Sequence, residues 1–266
     1  MGDAIVVTSG KGGVGKTTSS ANIGTALALQ GKKVVVIDTD IGLRNLDVVM
    51  GLDNRIIYDL IDVAEGRCRL QQALIQDKRC PELYMLPAAQ TKDKDAIQPE
   101  QVREIVLELM NTYDFVIIDC PAGIEQGFRN AIAGANKSIV VTTPDHSAIR
   151  DADRVIGLLL AEPAIEPPKL IINRIRPHLM KNGDMIDIQE ICAVLSIDLL
   201  GVVPDDEDVI KAANAGEPIV MHPHARAAIA YRNIARRIVG DTVPLMPFED
   251  KKVGFFRRMR KFLGMG

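Results

Sequence analysis

Short runs of almost continuously apolar residues alternate with amphipathic stretches along this chain, and this alternation restricts the possible folds more than any other feature. The apolar runs lie at 4–8, 33–38, 115–119, 138–142, 169–173 and 199–203, with a weaker one at 83–86. Helical patterns lie mostly between them, at 16–30, 99–110, 127–135, 149–160, 186–195 and 225–239. Strands that are apolar on both faces and alternate with helices form parallel sheets covered on both sides. We therefore predict an α/β fold with a mostly parallel central sheet and helices on both faces.

The segment after the first predicted strand has the pattern of a phosphate-binding loop. Residues 10–17 read GKGGVGKT, which matches G-x-x-x-x-G-K-[ST] and opens the first predicted helix. Glycines let backbone amides turn towards a phosphate, and the helix N-terminus adds partial positive charge. We predict a P-loop NTPase fold in which Lys16 reaches the β- and γ-phosphates and Thr17 binds Mg²⁺. The predicted ATP-binding residues of this loop are Gly10, Lys11, Gly12, Gly13, Val14, Gly15, Lys16, Thr17 and Thr18.

Carboxylates stand at the ends of two predicted strands. Asp38 and Asp40 are two residues apart, so alternation places them on the same side of the chain. Four apolar residues precede Asp119, which is the Walker B pattern of a carboxylate that holds Mg²⁺ directly or through water. Ligands bind at the carboxyl ends of strands in such sheets, so we expect all three carboxylates beside the phosphate loop.

Composition and charge restrict where the chain acts. No apolar run reaches the ~18–20 residues that a spanning helix needs, and the N-terminus resembles neither a signal nor a transit peptide. The four cysteines are scattered without a C-x-x-C pair, which favours free thiols in a reducing compartment. The net charge is −3, yet residues 249–266 hold six Lys/Arg and two Asp/Glu. We therefore expect a cytoplasmic protein whose basic end meets a localised anionic partner.

The basic end is predicted to form an amphipathic helix. At 100° per residue, one face carries Phe255, Phe256, Met259, Phe262 and Leu263. The opposite face carries Arg257, Arg258, Arg260 and Lys261. Such a helix lies in a membrane interface and binds anionic lipids. We predict an ATPase domain at 1–246 and a flexible membrane-targeting tail at 247–266, weakly bound as one copy and ~10²–10⁴-fold more tightly as two.

The sequence KGGVGKTT at 11–18 resembles the deviant Walker A family of P-loop ATPases. In that family the early lysine reaches across a dimer interface to the partner's nucleotide. Further matching stretches lie at 36–47, 86–95, 119–125, 201–204, 216–219 and in the tail. Together they span nearly the whole chain and are most similar to the members of the family that determine the septum site.

The resemblance implies a role for each matching residue. It implies a homodimer formed with ATP, in which catalysis rests on Lys11, Lys16 and Asp40, and Mg²⁺ is held by Thr17, Asp40 and Asp119. Asp38 and Gly123 would belong to the switch segments around the γ-phosphate. The adenine side of the site would include Asn173, Arg174, Pro204 and Asp206.

The resemblance also implies partners and a location. The chain would cycle on and off the inner face of the cell membrane with ATP, recruit a MinC-like division inhibitor and be released by a MinE-like activator that stimulates hydrolysis. The partner surface would include Arg44, Asn45, Asp47, Ile124, Asp151 and Asp153.

Three other functions are compatible with a phosphate loop. A ParA-type partition ATPase would bind DNA, but DNA binding needs a basic stripe and residues 1–248 are acidic. An iron–sulfur protein of the same family would need a suitably placed cysteine pair, which the sequence lacks. A kinase for a small substrate would leave Lys11 and the tail without a purpose.

Overall fold

The computed structural model describes residues 1–92 and 96–246 and contains a central sheet of eight strands. Their order across the sheet is β3-β4-β2-β5-β1-β6-β7-β8, and every neighbouring pair is parallel except β3–β4. The strands are β1 (Asp3–Thr8), β2 (Val34–Asp38), β3 (Ile75–Gln76), β4 (Leu83–Leu86), β5 (Phe115–Asp119), β6 (Lys137–Thr142), β7 (Lys169–Ile175) and β8 (Asp198–Pro204).

Eleven α-helices within the described residues cover the two faces of the sheet. They are α1 (Lys16–Ala28), α2 (Leu46–Met50), α3 (Leu60–Ala64), α4 (Leu70–Ala73), α5 (Pro99–Met110), α6 (Gln126–Ile132), α7 (His146–Leu160), α8 (Pro177–Asn182), α9 (Ile188–Leu195), α10 (Glu207–Asn214) and α11 (Arg226–Ile238). Helices α1, α2, α10 and α11 pack in one core cluster, whereas α3 to α7 and α9 pack in the other. The predicted fold class is therefore confirmed.

Alternate residues of a strand pack into the two hydrophobic cores on opposite faces of the sheet. In β1, Ala4 and Val6 belong to one core cluster, whereas Ile5 and Val7 belong to the other. All five residues of β2 and of β5 are buried. This two-sided burial explains why these strands read as continuous apolar runs, and it places their carboxyl ends at the same edge of the sheet.

The elements that the sequence did not predict are short. They are β3, α2, α3, α4, α8 and α10, none longer than eight residues. Short helices form mainly through tertiary packing and local caps, which leave little periodic signal. In α3, for example, the Asp59 carboxylate accepts hydrogen bonds from the amides of Ile61 and Asp62.

The predicted tail helix lies outside the described residues, as does residue 247, where we place the start of the tail. None of the helices within 1–92 and 96–246 is long and apolar enough to cross a membrane. All four cysteines lie in this part of the chain and are free thiols.

Candidate nucleotide-binding site

The phosphate loop connects β1 to α1 and folds as the motif predicts. Gly15 precedes α1 with φ 98°, a left-handed conformation that favours glycine. A Cβ at Gly15 would lie 2.3 Å from Nδ2 of Asn173, so no larger residue fits there. Lys16 begins the helix and is only 8% exposed, whereas Lys11 is exposed. The two lysines of the loop therefore occupy different environments.

Three carboxyl groups gather beside this loop because β2 and β5 are neighbours in the sheet. Asp38 and Asp119 lie directly opposite each other in the ladder, and both are buried. The hydroxyl of Ser20 donates to Oδ1 of Asp119 at 2.7 Å, and Thr17 also hydrogen-bonds this carboxylate. The backbone amide of Asp40 donates to Oδ1 of Asp38 at 2.9 Å. The structure thus brings together Thr17, Asp38, Asp40 and Asp119, as the sequence predicts.

Burial changes the acidity of this cluster. Burial raises the pKa of Asp38 to about 8, and the nearby charge of Asp119 contributes to that rise. Burial also raises the pKa of Asp119 to about 6, although hydrogen bonds from Ser20 and Thr17 and the charge of Lys16 oppose the rise. Carboxyl groups this close cannot all ionise cheaply without a cation among them. The cluster is therefore suited to a divalent cation.

The donor set fits Mg²⁺ in particular. In the described residues, no three or more His, Cys, Asp or Glu side chains converge on a point as a complete metal cage. Mg²⁺ seldom uses such a cage, because it keeps several waters and binds through one or two carboxylates and substrate phosphates. The hydroxyl of Thr17 and the carboxylate of Asp119, in mutual contact at the start of α1, supply that kind of partial shell.

A cavity of about 320 Å³ lies on the other side of the phosphate loop. Its lining includes residues predicted for the adenine side, namely Asn173, Arg174, Pro204 and Asp206, together with Gly15, Thr18 and Tyr231. Nδ2 of Asn173 donates to the backbone oxygen of Val14 at 2.8 Å, so Asn173 also braces the phosphate loop. Arg174 has φ 58°, an uncommon conformation for a residue other than glycine. We call this space the base cavity, after the residues that are predicted for the adenine side, and it adjoins the phosphate loop at Gly15 and Thr18.

Lys11 contacts the N-terminus of α7 in the single chain. Its Nζ donates to Oγ of Ser147 at 2.7 Å and lies 3.9 Å from Oδ1 of Asp145. Burial alone would raise the pKa of Asp145, but hydrogen bonds from Thr143, Ala148 and Ser147 and the charge of Lys11 lower it. The Lys11 and Asp145 side chains are 47% and 51% exposed, and exposed ion pairs contribute only ~0–1 kcal/mol. Lys11 can therefore leave this position at little cost.

Only some residues of the predicted partner surface are exposed to solvent. Asn45, Ile124 and Asp153 are exposed, and Asp151 is half-buried. Asp47 is instead 1% exposed and forms a 2.7 Å ion pair with Nε of the half-buried Arg44. A carboxylate this deeply buried is available to a partner only if Arg44 moves, because an unpaired buried charge is costly.

Several residues that support the site were not predicted. Besides Ser20, they include Thr39, whose hydroxyl donates to the backbone oxygen of Asp119 at 2.6 Å. Tyr231 is fully buried beside the base cavity, with its hydroxyl 3.1 Å from Oγ of Ser19. Thr39 lies between two predicted acids, which could have drawn attention to it, but Tyr231 comes more than 200 positions after the loop and gives no local signal.

Comparisons with known proteins agree with this geometry. Residues 5–219 match the family model described as the CobQ/CobB/MinD/ParA nucleotide binding domain. The chain is 65% identical over 266 residues to the septum site-determining protein MinD of Bacillus subtilis, covering 100% of this chain and 99% of that one. The MinC:MinD cell division protein complex of Aquifex aeolicus is 46% identical with TM-score 0.87, covering 93% of this chain and 100% of that one.

A third relative carries a nucleotide. The septum site-determining MinD of Pyrococcus horikoshii, complexed with Mg-ADP, is 30% identical with TM-score 0.81, covering 96% of this chain and 98% of that one. These matches extend over nearly the full length of the chain and include the phosphate loop, the carboxyl cluster and the base cavity. The chain therefore belongs to the CobQ/CobB/MinD/ParA nucleotide-binding family and, within it, to the septum site-determining MinD proteins.

Proposed function

We propose that this chain is an ATP-dependent, dimerising membrane switch that hydrolyses ATP and helps to place the division septum. The observation that supports the proposal is that two lysines of one loop differ in burial and in position. Lys16 is buried at the start of α1, where it serves the chain's own phosphates, whereas Lys11 is exposed and weakly held on α7. A weakly held cation at the rim of the site is free to meet the nucleotide of a second subunit.

Within one subunit, the phosphate loop and the carboxyl cluster would hold Mg²⁺ and ATP. Backbone amides of 10–18 and the ammonium of Lys16 bind the phosphates, while Thr17, Asp40 and Asp119 hold the metal. Bound Mg²⁺ neutralises the charge that develops on the phosphates. Gly123 adds a backbone amide near the γ-phosphate. The base lies in the cavity lined by Asn173, Arg174, Pro204 and Asp206.

Hydrolysis needs a water held in line with the γ-phosphate. We assign this task to Asp40, whose backbone is fixed by the hydrogen bond from its amide to the Asp38 carboxyl. Positioning and electrostatic stabilisation supply most of the catalysis in phosphoryl transfer. The partner subunit would supply the last positive charge through its own Lys11. Turnover should then be slow in the single chain and faster in the dimer.

The same dimer would control membrane attachment. Residues 1–246 form the ATPase domain, and the tail at 247–266 supplies one weak lipid anchor per subunit. Pairing two anchors strengthens binding to anionic lipid without any new contact. ATP then places the protein on the inner face of the membrane, and hydrolysis returns it to the cytoplasm.

One relative supports the choice of a MinC-like partner. The Aquifex complex pairs a MinD with MinC, which supports recruitment of a MinC-like division inhibitor by this chain. A MinE-like activator would stimulate hydrolysis and release the dimer. Exposed Asn45, Ile124 and Asp153 are available for such contacts. The named relatives give no support to a ParA-type partition ATPase acting on DNA.

Liposome sedimentation tests the switch. The full chain and a chain ending at Phe248 are each mixed with anionic vesicles in the presence of ATP, ADP or no nucleotide. We expect only the full chain with ATP to sediment. Binding that is independent of ATP, or unchanged by truncation, contradicts the proposal.

A further inference from the structure

The C-terminal ends of α2 and α10 meet away from the nucleotide site. Gly51 comes after α2 with φ 64°, and Gly216 comes after α10 with φ 68°. A Cβ on Gly216 would lie 2.7 Å from Cα of Gly51, and one on Gly51 would lie 2.5 Å from the backbone oxygen of Gly216. The two helix ends are therefore in direct backbone contact, which only glycines allow at these positions.

One arginine joins these two ends. Nη1 of Arg79 donates to the backbone oxygen of Gly216 at 2.8 Å, and Nη2 donates to the backbone oxygen of Met50. The same guanidinium forms a two-point pair with Asp77, with Nε 3.0 Å from Oδ1 and Nη2 2.8 Å from Oδ2. Asp77 is 1% exposed, so it holds the arginine in one orientation. A cation beside helix C-termini is also favoured by the helix dipoles.

The opposite ends of these helices border the nucleotide site. The first amide of α2, on Leu46, donates to Oδ2 of Asp38 at 3.3 Å, which places α2 at the carboxyl cluster. Helix α10 begins after Asp206, and its residues Val209 and Ile210 line the base cavity. One helix therefore contacts the metal side of the site and the other contacts the base side.

We propose that Arg79 is a positioning residue that couples the base side of the nucleotide site to its metal side, a role that rests on the proposed ATP-dependent function. A base bound in the cavity would restrict the motion of α10. Arg79 and the contact between Gly51 and Gly216 would transmit this restriction to α2, and α2 in turn would hold Asp38 in position. Arg79 lies neither in the lining of the base cavity nor in the carboxyl cluster. It makes filling of the base cavity a condition for the correct arrangement of the carboxyl cluster.

Hydrogen–deuterium exchange with adenosine alone tests the coupling, because adenosine carries neither phosphate nor metal. In the native chain, adenosine should slow amide exchange at residues 207–214 and also at 46–51, by about fivefold or more. Arg79→Lys keeps a cation beside Asp77 but loses the planar fork that reaches both carbonyl oxygens. In this variant we expect protection at 207–214 to remain and protection at 46–51 to fall below about twofold.

The matched control is Arg55→Lys. Nη1 of Arg55 donates at 2.6 Å to the backbone oxygen of Gln76, which belongs to the same β3–β4 hairpin as Arg79. Among the described residues, no hydrogen bond joins the Arg55 side chain to α2 or α10. This variant should keep protection at both helices. Gly216→Ala is the second test. Its Cβ would push Gly216 away from Gly51 and move the backbone oxygen that accepts from Nη1 of Arg79, without changing Arg79 or Asp77 themselves, so it should also uncouple the two helices. It still answers the question if Arg79→Lys fails to fold.

The outcomes separate this proposal from the proposed function. The role of Arg79 is overturned if adenosine protects the amides of 46–51 equally in the native chain, in Arg79→Lys and in Gly216→Ala. It is also overturned if adenosine gives no protection at 46–51 in the native chain. Adenosine that protects neither helix, while Mg-ATP protects the phosphate loop, overturns the coupling and leaves the ATP switch intact. If Mg-ATP does not protect the phosphate loop, both the coupling through Arg79 and the ATP-dependent switch are contradicted. A merely structural role would lower the unfolding temperature without abolishing adenosine-dependent protection at α2.

Discussion

Binding of Mg²⁺ and nucleotide should release about one proton from the carboxyl cluster at pH 7. Burial raises the pKa of Asp38 to about 8 and that of Asp119 to about 6, so pH 7 lies between the two values and the pair together holds about one proton. The two interact and share this proton as a pair. A divalent cation beside them favours the charged forms, so the shared proton leaves when the metal enters.

The magnitude depends on pH in a defined way. At pH 5, below both pKa values, the pair holds about two protons, and at pH 9, above both, it has lost them, so release should rise on acidification and nearly vanish in alkali. The same shifts affect stability. Because both folded pKa values lie above the unfolded value of 3.8, the nucleotide-free protein should lose stability as pH rises from about 4 to about 8.

Isothermal titration calorimetry in buffers of different ionisation enthalpy measures the release. The observed binding enthalpy is plotted against the buffer enthalpy, and the slope gives the number of protons. With Mg-ADP at pH 7 we expect a slope equivalent to about one proton for the native chain. Asp38→Asn should reduce it well below one proton, because the substitution removes the group with the higher pKa and leaves only Asp119.

The experiment includes two controls, one for protons from the nucleotide and one for carboxylates outside the cluster. Any proton from the nucleotide itself appears in both the native chain and the Asp38→Asn variant, and the difference removes it. Asp153→Asn changes an exposed carboxylate outside the cluster and should leave the slope near one proton. A buffer-independent enthalpy for the native chain at pH 7, or a slope unchanged by Asp38→Asn, refutes the reasoning.

Three substitutions test other parts of the mechanism. Lys11→Ala should keep nucleotide binding, since Lys16 remains, but lose the ATP-dependent dimer; light scattering that still shows a dimer contradicts the assigned role. Asp40→Ala should form the ATP dimer and fail to release phosphate, and retained phosphate release removes Asp40 from catalysis. Gly15→Ala forces a Cβ to 2.3 Å from Asn173 at φ 98°. We expect it to cost about 1–3 kcal/mol in thermal unfolding and to abolish nucleotide binding, and an unaltered melting curve would count against the strain.

The sequence predicts the centre of this fold better than its periphery. β1, β2 and β5 are buried on both faces, so each appears as an unbroken apolar run, and the phosphate-loop motif predicts the turn and the helix after β1. Asp38 and Asp119 could be placed together because the carboxyl ends of parallel strands share one edge. Local patterns of this kind depend only on residues close together in the chain.

Contacts between distant segments could not be predicted in the same way. Arg79 lies just after a two-residue strand, and nothing near it indicates that Met50 and Gly216 will supply its acceptors. Asp47 is likewise buried and paired with Arg44, whereas the charged sequence around it is typical of a solvated surface. Such errors arise because a charge pattern does not distinguish a paired carboxylate from a free one.

The cluster and the phosphate loop together explain why nucleotide and metal should act as one signal. The carboxyl groups are hard to ionise together, and a cation relieves that cost only when it is held beside Thr17 and Asp119, where the phosphates also bind. Lys11 is held so weakly on α7 that a modest attraction to a second nucleotide suffices to move it. In the proposed switch, Thr17 and Asp119 would hold Mg²⁺, which would favour the ionised form of the cluster and bind the γ-phosphate, and that phosphate would attract Lys11 of a second subunit. A chain built in this way should respond to ATP with Mg²⁺, and only weakly to either one alone.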